Sequence, residues 1–97
     1  MSISKRKNAY KAFCRSAQRV TIDTALGDPD RYPYAENLNE DGDVLAFHTY
    51  LDGYFFFETK LEGKIVYEVP TATMNPVYDN ARDAEKELFD MWKKRET

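Results

Sequence analysis

Between Val44 and Val69 the chain reads VLAFHTYLDGYFFFETKLEGKIVYEV, three short runs of β-branched and aromatic residues separated by Leu51-Asp52-Gly53 and Leu61-Glu62-Gly63. Loop glycines ten residues apart, at Gly53 and Gly63, have the spacing of a three-stranded antiparallel meander. The register follows from which loop length sorts apolar from charged positions. Two-residue loops leave both faces mixed. Three-residue loops, each a type I turn with its glycine left-handed, set Tyr50 opposite Tyr54 and Lys60 opposite Lys64. One face then carries Leu45, Phe47, Thr49, Phe55, Phe57, Thr59, Ile65, Tyr67 and Val69, without a charge. The other carries Ala46, His48, Tyr50, Tyr54, Phe56, Glu58, Lys60, Lys64, Val66 and Glu68. A sheet with one buried face fixes its register in this way, so three-residue loops are predicted.

Upstream, Ser4 is placed to cap a helix whose apolar and small positions, Ala9, Tyr10, Phe13, Cys14, Ala17, Thr21 and Ala25, recur at three-and-four spacing. Gly27 and Asp28-Pro29 mark its end, giving an N-terminal helical segment over 1–27. Val20-Thr21-Ile22 is β-branched, so an extended end is the alternative. Residues 28–43, DPDRYPYAENLNEDGD, hold two prolines, two asparagines and a glycine and read as an acidic loop, with at most one helical turn near Tyr34–Leu38. Tyr32, Tyr34 and Leu38 are the residues able to pin that loop, as an ordered acidic ridge or a solvated connection. Pro70 ends the meander (44–70), and Asn75-Pro76 predicts a helix start, with asparagine as cap and proline in the first turn. Val77, Ala81, Ala84, Leu88, Met91 and Trp92 form its apolar stripe over 75–95. The predicted architecture is one domain over 1–97 of the α+β class, α-β-β-β-α, with two helices on the apolar face of the sheet.

The net charge of −3 conceals a segregation. Residues 1–20 hold six basic side chains (Lys5, Arg6, Lys7, Lys11, Arg15, Arg19) and no acid, whereas residues 21–46 hold seven acids against Arg31 alone. Cations at a helix start oppose its dipole, so the basic residues do not serve helix stability; a solvated face is their simplest account. No run approaches the ~20 apolar residues of a membrane span. The basic start leads into no apolar core of a signal peptide, and a lone Cys14 excludes an intrachain disulfide. The cytoplasm is the expected location.

Catalytic chemistry finds few candidates. His48 is the single histidine and falls on the more polar sheet face, and Cys14 lies on an apolar helical stripe where a thiol is inert. Asp41-Gly42-Asp43 is similar to part of a calcium loop but lacks the alternating ligands and closing glutamate. No phosphate loop, metal set or cofactor motif is present in the sequence, and no enzymatic activity or small-molecule substrate is expected.

Two binding readings compete, with a plain protein–protein adaptor as a third. In one, the basic helix grips phosphates while Tyr50, Tyr54 and Phe56, taken as exposed, stack on bases. The element order resembles the double-stranded RNA-binding domain, yet the positions of that family's lysine cluster read Asp79-Asn80-Ala81-Arg82-Asp83-Ala84-Glu85, nearly opposite in sign. In the other, acids stand where nucleic acid presents phosphates. Carboxylates four apart on a helix rise ~6 Å per step, near the separation of successive phosphates on one strand. Asp79, Asp83, Glu87 and Asp90 make one such row, and Asp28, Asp30, Glu36, Glu40, Asp41 and Asp43 another. A protein of this kind occupies the basic groove of a DNA-binding complex without itself binding DNA. Size, element order and acidic blocks together resemble the small phage-encoded anti-CRISPR proteins that act as double-stranded-DNA mimics. The resemblance implies an inhibitor of the type I-F CRISPR surveillance complex, bound to its large subunit and adjoining backbone subunit along the target-DNA path, in the cytoplasm of an infected bacterium.

Overall fold

The two central hairpins use different turns, and that difference decides which side chains are buried. A computed structural model describes residues 3–40 and 42–96, with side-chain surroundings for 8–40 and 42–95. Five antiparallel strands lie in chain order, β1 (Gln18–Thr21), β2 (Val44–Thr49), β3 (Phe55–Leu61), β4 (Lys64–Glu68) and β5 (Val77–Tyr78). Four helices accompany them: α1 (Ile3–Arg15), α2 (Ile22–Leu26), α3 (Ala35–Leu38) and α4 (Ala81–Glu96). The class is α+β, as the periodicity predicts, with edge strands β1 and β5 added to the expected three.

The first hairpin has the predicted register. Thr49 faces Phe55, and the Tyr50 amide donates to the Tyr54 carbonyl at 2.8 Å, closing the three-residue loop Leu51–Gly53. Asp52 as well as Gly53 is left-handed there (φ 60° and 78°). The second hairpin does not match. Leu61 pairs directly with Lys64 around the two-residue turn Glu62-Gly63, whose φ values of 50° and 81° are those of a type I′ turn. That one-residue change turns β4 over. Val66, 6% exposed, joins Phe57 on one face, while Ile65, 49% exposed, shares the opposite face with Phe56, Glu58 and Tyr67. Leu45 is the extra residue of a bulge between Val44 and Ala46, and this places Val44 beside Phe47 and Phe57.

Both sheet faces are covered. The Phe47–Phe57 face, expected to receive the two long helices, is packed instead by α2, α3 and the turns between them through Ala25, Tyr32 and Ala35. The long helices sit on the other face, where Phe13 of α1 and Ala84, Leu88 and Phe89 of α4 enclose Phe56, Tyr50 and Val69. Phe56 is 0% and Tyr50 8% exposed, so of the three residues assigned to base stacking these two are core, and Tyr54 is half-buried against them. An aromatic-rich strand pair buried on both faces reads in sequence as a near-continuous apolar run, which hides its alternation.

The N-terminal helix is shorter than expected and stops at Arg15, where the Ser16 hydroxyl donates to the Phe13 carbonyl at 2.6 Å. The β-branched stretch then forms β1, pairing with β2, and Thr21 caps α2 through the Thr24 amide. Helix α1 is already under way at Ile3, so Ser4 lies in its first turn; the side chains of Ser4, Lys5, Arg6 and Lys7 are outside the described residues. At the other end Asn80, not Asn75, starts α4, its Oδ1 accepting from the Asp83 amide at 2.9 Å. Asn75 instead accepts from the Thr71 amide, and the Val69 amide donates to the Pro76 carbonyl to bring β5 alongside β4.

Candidate functional site

The acidic segment is built as a layer. The Asp28 carbonyl accepts from the amides of Arg31 and Tyr32, the Tyr32 carbonyl from Ala35, and the Ala35 carbonyl from Asn39. These turns bring Tyr32 and Ala35 down onto Phe47 and Phe57, with Tyr34 stacked on Phe55 at 4.7 Å and Leu38 packed alongside. The Asp43 carbonyl closes the segment by accepting from the Lys60 amide at 3.0 Å and the Thr59 hydroxyl at 3.1 Å. Tyr32, Tyr34 and Leu38 thus pin the segment to the sheet as the sequence suggests.

With its apolar side chains spent on the sheet, the layer turns its acids outward. Asp23, Asp28, Asp30, Glu36, Glu40 and Asp43 are all exposed; Asp41 lies outside the described residues. The ion pairs between described residues both end on Glu58, so none of these six is neutralised by one of them. The one cation of the layer, Arg31, lies over the Tyr32 ring at 5.6 Å.

The other predicted row does not join them. Asp79, Asp83, Glu87 and Asp90 belong to α4 or its approach, on the far side of the sheet. Asp83 receives the Asn80 side-chain amide at 3.1 Å and helps to start the helix, while Glu87 and Asp90 are half-buried. Tyr78 lies close enough to Glu87 and Asp83 for their charges to add to burial in raising its hydroxyl pKa. The nine described acids of the two predicted rows therefore fall on two surfaces, and the compact one, without an ion pair among the described residues, is the α2–α3 layer.

A groove of about 800 Å³ opens in this layer between α2 and α3. Buried Ala25, Tyr32 and Ala35 make its floor, and exposed Pro29, Pro33, Glu36, Asn37 and Glu40 stand at its walls and mouth. Asn39 also lines it, and its Oδ1 is buried without a hydrogen-bond partner among the described residues.

The side chains considered for catalysis are engaged elsewhere. His48 Nε2 lies 2.9 Å from Glu58 Oε1 and stacks on Phe56 at 4.7 Å, and Arg19 donates from Nε and Nη2 to the same carboxylate at 3.1 and 3.0 Å. The Arg19 hydrogen bonds are the main reason that the Glu58 pKa is lowered, against the opposing effect of burial. Cys14 donates to Glu85 Oε1 at 3.2 Å, and burial first, then that carboxylate, push its thiol up to about 11. Tyr50 donates to Glu85 Oε2 at 2.8 Å and is likewise raised, chiefly by burial. Neither Glu58 nor Glu85 is singled out by charge pattern. Their signal is position: Glu58 interrupts an aromatic strand, and Glu85 falls between Ala81, Ala84 and Leu88 on the buried stripe of α4. Among the described residues no group of three or more His, Cys, Asp and Glu is placed to hold a metal ion, and no helix is long and apolar enough to cross a membrane. The chain matches no protein-family model, no curated protein and no solved structure.

Proposed function

We propose that this chain is a non-enzymatic inhibitor that lays its α2–α3 layer into a cationic, DNA-binding cleft of a larger protein complex. The class of target is the one that the resemblance to the DNA-mimicking anti-CRISPR proteins implies, the type I-F surveillance complex along its target-DNA path. One observation carries the reading: a segment rich in carboxylates is fixed to a rigid sheet by Tyr32, Ala35 and Leu38, while its described acids stay exposed and unpaired with described cations. Fixed anions meet a cationic cleft with little ordering cost, and like charge keeps the protein off DNA itself.

The test is competition. The surveillance complex, guide RNA loaded, is mixed with labelled duplex target with and without the protein. The expected result is loss of the DNA complex with the protein and no shift of DNA by the protein alone. Charge reversal at Asp28, Asp30, Glu36, Glu40 and Asp43 together removes the inhibition, whereas reversal at Asp79 and Asp83 leaves it. Undiminished inhibition by the five-site variant, or direct binding of duplex DNA by the protein, refutes the proposal.

A further inference from the structure

We draw no further inference here: the strongest candidate, the pocket of about 350 Å³ lined by Ser16, Gln18, Arg31, Tyr34 and Leu51 beside the first hairpin turn, has as its one cation an exposed Arg31 that follows the exposed Asp28 and Asp30 in the chain, and nothing in the structure shows what would occupy it.

Discussion

At the scale of single residues, two glutamates are held against their ordinary preferences. Glu62 is left-handed at φ 50° in the first position of a type I′ turn, where asparagine is favoured and most L-residues are strained. Glu62→Asn should therefore stabilise the protein by roughly 0.5–1 kcal/mol, about half the left-handed penalty, read as a higher urea midpoint with an unchanged slope. Glu58 is 7% exposed yet ionised between Arg19 and His48. Its folded pKa lies below the ordinary 4.5. The stability it contributes is thus fully present above that value and is lost as the pH falls through the lower, folded one. Because the Arg19 side chain is 51% exposed, solvent screens the pair, and Arg19→Ala should cost no more than about 1 kcal/mol at neutral pH. The same change should flatten the acid limb of a stability-against-pH curve. An acid limb unaltered by Arg19→Ala would show that the carboxylate is held ionised by something else.

At the scale of elements, the lesson is how a single turn residue controls a strand. Phe47, Phe55 and Phe57 are legible as one face, and the Leu51–Gly53 loop gives their register correctly. The third strand is not legible, because Leu61-Glu62-Gly63 lacks the Asn-Gly or Asp-Gly pair that marks a two-residue turn, and a three-residue reading sorts the charges better. Nature's register leaves Ile65 in solvent at the far end of the sheet and gives Val66 to the core. Truncation distinguishes the two registers: Val66→Ala should cost about 1.5–3 kcal/mol, and Ile65→Ala less than about 0.5 kcal/mol, by chemical unfolding. The reverse order would restore the three-residue loop. The shortening of α1 was legible in part, since Val20-Thr21 is β-branched, but β1 exists because β2 offers it an open edge, and no local signal reports that. Likewise the acids of 28–43 were legible as a charge block, while their ordering depends on Tyr32 and Ala35 finding Phe47 and Phe57 across the chain.

At the scale of the whole molecule, the sheet divides the charge. On the side of α1 and α4, the exposed charges are of both signs, Lys11, Arg15, Arg82 and Lys86 with Asp79 and Asp83, so their fields partly cancel. On the side of α2 and α3, the segment 21–43 sets six exposed acids against Arg31, with the exposed Lys64 on the same face of the sheet. A cationic partner approaching by diffusion is therefore turned toward one face. This asymmetry sets what kinetics should show. Between about 0.05 M and about 0.5 M salt the screening length shrinks severalfold, so association with a cationic cleft should slow by roughly tenfold or more. Dissociation, governed by short-range contacts once the face is seated, should change much less. Reversing Asp28, Asp30, Glu36, Glu40 and Asp43 should invert the salt dependence of the association rate, since salt then screens a repulsion, whereas reversing Asp79 and Asp83 should leave its slope nearly intact. Surface plasmon resonance against the immobilised surveillance complex measures both rates directly, and equal loss of slope from the two sets of reversals would mean that the partner reads the net charge of the molecule and not this face.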